Sequence, residues 1–126
     1  MNTLLFILAL AMPTHDNRLC PEYTKDIRKA GLPVAEFDYI AKRESGCNPK
    51  AINARFDKKG KVIWTLNKNG SIDRGLFQIN SVHEQTVRKL CKSDLDALLT
   101  LDCNLKVAKY LYDRYGLVPW KAVVKP

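Results

Sequence analysis

Two periodicities share this chain, and their order is its tightest constraint. Apolar residues recur at helical spacing up to Gly46 and again after Asn80, while the stretch between them is rich in β-formers and turns. Pro21 to Ala30 reads as a helix, with Pro21 at its first position and Gly31 as its stop. Pro33 opens a second helix. Val34, Phe37, Ile40 and Ala41 mark its buried side, it runs through Glu44, and Gly46 and Pro49 end it. From Arg55 to Asp73 come the turn signal Lys59-Gly60, the β-rich run Val62-Ile63-Trp64-Thr65-Leu66, and Asn69-Gly70, a type I′ signal. This predicts a small antiparallel sheet of two or three strands. Ser81 with Glu84 three residues on reads as a capping box, and Leu90, Leu95, Leu98 and Leu99 continue an apolar face. Asp102 or Cys103 to Tyr115 is a helix that buries Leu105, Val107, Ala108, Leu111 and Tyr112, stopped by Gly116. Pro119-Trp120 starts a last short turn, and Trp120 and Tyr110 read as core. The order is that of an α+β chain, mainly α.

At 126 residues, 46% of them hydrophobic and 27% charged, the chain is one domain able to bury its own core. No apolar run reaches the roughly 18 residues of a membrane-spanning helix. Lysine and arginine exceed aspartate and glutamate by 21 − 13, a net +8 that favours polyanionic partners without choosing among them.

Cys20, Cys47, Cys91 and Cys103 contain no C-x-x-C pair, and only His15 and His83 accompany them, which argues against zinc. Two disulfides are expected, with three connectivities open and Cys20–Cys103 with Cys47–Cys91 preferred. Four buried thiols are the alternative. Leu4 to Ala11 is a short apolar run ending in an A-x-A site, Ala9-Leu10-Ala11, before a polar stretch. Residues 1–11 therefore read as a signal peptide and 12–126 as the mature domain, exported into an oxidising compartment. A first helix packed on the core is the other reading of that run.

Two acids stand out by context. Glu44 ends a core-facing helix. Asp73 follows the Asn69-Gly70 turn just before Gly75-Leu76-Phe77-Gln78-Ile79-Asn80. Glycoside cleavage needs one carboxyl kept protonated by apolar surroundings and another that stays ionised near the developing cation. Spacing alone does not select this pair, because a single glutamate at a helix end is usually solvated.

Three ordered motifs carry more. Arg43-Glu44-Ser45-Gly46-Cys47-Asn48-Pro49-Lys50-Ala51-Ile52-Asn53 resembles the E-S-G-x-N-P-x-A-x-N signature of the goose-type lysozyme and lytic transglycosylase (SLT) superfamily. Gly70-Ser71-Ile72-Asp73-Arg74-Gly75-Leu76-Phe77-Gln78-Ile79-Asn80-Ser81 resembles its second motif, and Asp102 to Leu111 its third. The resemblance implies a lysozyme-like fold with a small antiparallel hairpin or sheet beside an active-site cleft. It implies cleavage of peptidoglycan between N-acetylmuramic acid and N-acetylglucosamine, with no metal or cofactor. Glu44 would be the general acid and then the general base. Asp73 aligns with the second carboxylate of animal-type lysozymes. Ser45 would orient the sugar or the acid, and Gln78 and Asn80 would line the site with Phe77 beneath. Apart from the resemblance, the place of Trp64 on the β-rich run offers its ring for stacking on a sugar. The A-Y-N-x-G motif that usually closes the transglycosylases is missing after Trp120, so hydrolysis and transglycosylation both stay open.

Each residue also has a plainer reading: Ser45 bonded to its own helix, Asp73 bracing the turn or pairing with Arg74, Gln78 and Asn80 as structural amides, and Trp64 packing the hairpin. A non-catalytic wall-binding module of the same fold is the second function considered. The third is a cationic protein acting on membranes or nucleic acid, which no basic helix with interleaved aromatics supports. Expected partners are peptidoglycan strands and a secretion, conjugation or virion assembly; nucleic acid and stable membrane insertion are not expected. The chain itself is expected to be a monomer.

Overall fold

Proline and glycine set the limits of the helix that carries Glu44. In the computed structural model, which describes residues 17–120, α2 (Val34–Ser45) starts after Pro33 and ends at Gly46 in the left-handed region, φ +64°. Gly46 N–H donates to the Lys42 carbonyl and Cys47 N–H to that of Ala41, a Schellman ending. Phe37, Ile40 and Ala41 face the core from this helix. Before it, a 3-10 turn (Pro21–Tyr23) leads into α1 (Thr24–Lys29), so the first predicted helix is split in two. The apolar run Leu4–Ala11 and the residues after Trp120 lie outside the described residues.

The middle of the chain folds as two separate two-stranded antiparallel sheets, not one. β1 (Ala54–Phe56) pairs with β2 (Val62–Thr65), and β3 (Asp73–Arg74) with β4 (Ile79–Asn80). The turn between β1 and β2 uses Lys59-Gly60, with Gly60 at φ +81° and Asp57 Oδ1 accepting from Lys59 N–H and Lys61 N–H at 2.9 and 2.8 Å. Asn69-Gly70 does not form the type I′ hairpin its sequence suggests. Of the two, only Gly70 takes a positive φ, its N–H closes a turn onto the Asn67 carbonyl, and β2 and β3 do not pair across it.

After β4 come a 3-10 turn (Ser81–His83), α3 (Glu84–Cys91), a second 3-10 turn (Leu95–Leu99), α4 (Leu101–Tyr115) and a last turn (Val118–Trp120). The Ser81 capping box does not form. The Ser81 hydroxyl is engaged with the backbone of Ile72, and Asn80 caps instead, its Oδ1 accepting from Val82 N–H at 2.9 Å. Thr100 caps α4 through Cys103 N–H.

The core converges on Phe37. Its ring meets Phe77, Tyr112 and Trp120 edge-on at centroid distances of 5.2, 5.6 and 5.0 Å. Trp120 Nε1 donates to the Phe77 carbonyl at 3.0 Å, which holds the residues after Asp73 against the end of the chain's described part.

The disulfides correct the preferred pairing: Cys20 bonds Cys47, and Cys91 bonds Cys103. Buried Asp38 on α2 accepts from Leu19 N–H and Cys20 N–H at 2.9 Å each, which lays Cys20 against that helix, beside its C-terminal end where Cys47 emerges. Cys91 ends α3 and Cys103 lies in the first turn of α4, so the short link between the helices brings them together.

Candidate active site

Glu44 is half-buried in the last turn of α2. Its carboxyl is pushed up from 4.5 to about 7, first by burial and second by the negative charge of Asp73. The negative charge of Asp73 thus reaches the Glu44 carboxyl.

Asp73 opens β3, directly opposite Asn80 on β4. Three amides donate to its carboxylate. Asn80 Nδ2 reaches Oδ1 at 2.8 Å, and Asn67 and Asn53 reach Oδ2 at 3.0 and 3.2 Å. Both oxygens are thus served by neutral donors. Asn53 also donates its backbone N–H to the Asp73 carbonyl. Arg74 does not pair with Asp73; its Nε lies 3.3 Å from Asp96 Oδ1.

The other candidate side chains serve the frame around these two acids. Ser45 Oγ lies 2.7 Å from the Leu76 carbonyl and 3.0 Å from that of Ala41, and it accepts from Asn48 N–H. It ties the end of α2 to the segment after Asp73. Gln78 sits at φ +51° and uses its amide hydrogens on the Ala51 and Gly75 carbonyls, at 3.1 and 3.0 Å. That leaves Gln78 Oε1 as its polar atom for a ligand. Asn80 is fully engaged, with Ser71, Asp73 and Val82. Phe77 is wholly buried, its ring edge-on against Phe37 in the core. Trp64 stands 47% exposed on β2, opposite Arg55.

Sequence reasoning assigned no role to Asn53, Asn67 or Asn104. Asn104 on α4 is fully buried: its Oδ1 accepts from Phe77 N–H at 3.1 Å, and its Nδ2 donates to the Arg74 and Leu98 carbonyls at 3.0 and 2.9 Å. A cavity of about 700 Å³ between α1, α3 and α4 is lined by none of the site residues.

A half-buried glutamate at a helix end, beside an aspartate on a small sheet in a mainly helical body, is consistent with a lysozyme-like fold. The profile of the transglycosylase SLT domain family matches residues 23–124, and the chain belongs to that family. Lysozyme from Hyalophora cecropia is 34% identical over 125 residues, covering 93% of this chain and 84% of that protein. Lysozyme from Antheraea mylitta is 35% identical over 101 residues, covering 75% and 78%. Protein IpgF from Shigella flexneri is 29% identical over 127 aligned positions, covering 98% and 74%. Peptidoglycan-lytic, lysozyme-like chemistry is the activity of this class. The two disulfides belong to an exported protein. Among the described residues no helix is long and apolar enough to cross a membrane.

Proposed function

We propose that the chain cleaves the β-1,4 bond between N-acetylmuramic acid and N-acetylglucosamine in peptidoglycan, with Glu44 as general acid and then general base. The observation that carries this is the Glu44 carboxyl held at about 7 by burial and by Asp73, so that it keeps a proton to give near neutral pH.

Glu44 protonates the glycosidic oxygen as the bond to C1 breaks. Positive charge grows on C1 and its ring oxygen. Asp73 meets that charge as an anion organised by Asn53, Asn67 and Asn80. Water then adds to C1 and returns its proton to Glu44, giving a reducing end. If the muramic acid's own 6-hydroxyl adds instead, the same proton transfer gives a 1,6-anhydro end. Gln78 Oε1 accepts from a sugar donor.

The net charge of +8 draws the enzyme to an acidic wall polymer. In this reading residues 1–11 direct export, residues 12–126 form one catalytic domain that works as a monomer, and its setting is the periplasm, the cell exterior or a virion. It serves a secretion, conjugation or virion assembly that must pass the wall.

The test is digestion of purified sacculi by wild type and Glu44→Gln, with products read by mass spectrometry. Wild type should release muropeptides and the variant should lose at least about a hundredfold in rate. Release that survives the substitution would overturn the assignment of Glu44.

A further inference from the structure

The β1–β2 hairpin carries an unusual surface. Phe56, Val62, Ile63, Trp64 and Leu66 are all exposed, Ile63 and Leu66 at 67% and 66%. The register places Phe56 opposite Val62 on one face and Trp64 opposite Arg55 on the other, with an irregularity between Arg55 and Phe56 that leaves Ile63 as the extra residue. Apolar side chains therefore stand on both faces of the ribbon. A hairpin packed on a core would bury one of them.

Charge accompanies this surface. Arg55, Lys58, Lys59, Lys61 and Lys68 face a single acid, Asp57, between residues 54 and 68. That is a net +4, half of the chain's +8, on fifteen residues. Asp57 spends its Oδ1 on the turn N–H groups of Lys59 and Lys61, so the hairpin presents cations outward around an apolar centre.

We infer that this hairpin docks on an acidic phospholipid surface. A flat protein partner would cover one face and leave the other in water. A lipid interface surrounds both, takes aliphatic side chains and tryptophan at headgroup depth, and is met by lysines that extend their stems along it. A glycan strand would favour aromatic faces over Ile63 and Leu66. Strands of three and four residues are too short to span a bilayer, so the attachment is peripheral. The base of the hairpin leads to the site: Thr65 Oγ1 donates to the Asn67 carbonyl, and Asn67 Nδ2 donates to Asp73. Docking would thus hold the two acids near the membrane. The inference stands on the hairpin alone, independent of catalysis.

The experiment is flotation of the full chain with vesicles of phosphatidylcholine alone and of phosphatidylcholine with phosphatidylglycerol in equal parts, with tryptophan emission recorded. Wild type should bind the acidic vesicles, release as salt rises, and shift its emission to the blue through Trp64, because Trp120 is already buried. Ile63→Ser with Leu66→Ser should weaken binding about tenfold or more. Lys58→Gln, Lys59→Gln and Lys61→Gln should weaken it about fivefold per lysine. All of these residues are solvent-facing, and unchanged thermal midpoints would confirm that the variants fold. The inference is overturned by equal affinity for neutral vesicles, by binding to neither, or by a serine variant that binds like wild type. Capture on sacculi without capture on acidic vesicles overturns it as well and assigns the hairpin to the wall.

Discussion

The buried amide of Asn104 occupies the space where a β-carbon on Gly75 would stand. A methyl there would collide with Asn104 Nδ2 and with the Leu98 carbonyl, and Gly75 holds φ +85° besides. The close approach lets one side chain on α4 bind backbone groups of Arg74, Phe77 and Leu98, bracing the residues between Asp73 and Gln78. Gly75→Ala and Asn104→Ala are each expected to lower stability by about 2–4 kcal/mol, through overpacking and unpaired buried groups respectively. Chemical denaturation of both variants checks this, and an effect within about 0.5 kcal/mol would remove Asn104 from the frame of the site.

Glu44 should make the fold less stable at high pH. Its carboxyl holds a proton more tightly folded, at about 7, than at its ordinary 4.5. Protonation therefore favours the native state, and the penalty grows as pH rises from 4.5 to about 7. Partial exposure screens it to about 1–2 kcal/mol. Glu44→Gln should exceed wild type in stability by that amount at pH above about 8 and match it below about pH 4. Denaturation across pH measures the difference, and a constant gap would contradict the burial assigned to Glu44.

Asp73 contributes the second part of the Glu44 shift. Asp73→Asn should lower the pH at which Glu44 titrates, read by carbon NMR of the labelled carboxyl, while burial keeps it above 4.5. An unmoved titration would mean that the two acids do not sense each other. Asn67→Ala removes one donor from Oδ2 and should slow sacculus digestion by roughly three- to tenfold without unfolding the chain.

Both disulfides should matter for folding. The Cys20–Cys47 bond closes 27 residues and the Cys91–Cys103 bond 12. Loss of either pair, by Cys→Ser at both positions, should cost about 3 kcal/mol. Thermal unfolding with and without reductant checks this, and only the first pair should also loosen Glu44, since Cys47 follows the helix end that holds it.

What was legible in the sequence was local. The helix of Val34–Ser45, its glycine stop and the position of Glu44 follow from apolar spacing over three turns. So does α4. The motifs hold Glu44, Asp73, Asn53 and Asn80 but do not tell that these two amides donate to Asp73, and Asn67 lies outside them. Asn53 lies twenty residues and Asn67 six residues from it in the chain, and only tertiary folding aims them at one oxygen. Ser45 illustrates the limit from the other side. Bonding to its own helix follows from its place in the last turn, whereas the bond to Leu76 across 31 residues needs the folded chain. The disulfide pairing failed for the same reason, because it depends on Asp38 drawing the backbone of Cys20 against α2. Asn69-Gly70 carried a hairpin signal that the chain does not use, as β2 and β3 never pair.

The measurement that reaches the central claim most directly is the pH dependence of sacculus digestion by wild type, with Glu44→Gln alongside. The account predicts a rate that falls above about pH 7 as Glu44 loses its proton, and a variant without activity at any pH. A rate that holds or climbs well past that point, or a Glu44→Gln protein that still cuts, would contradict it.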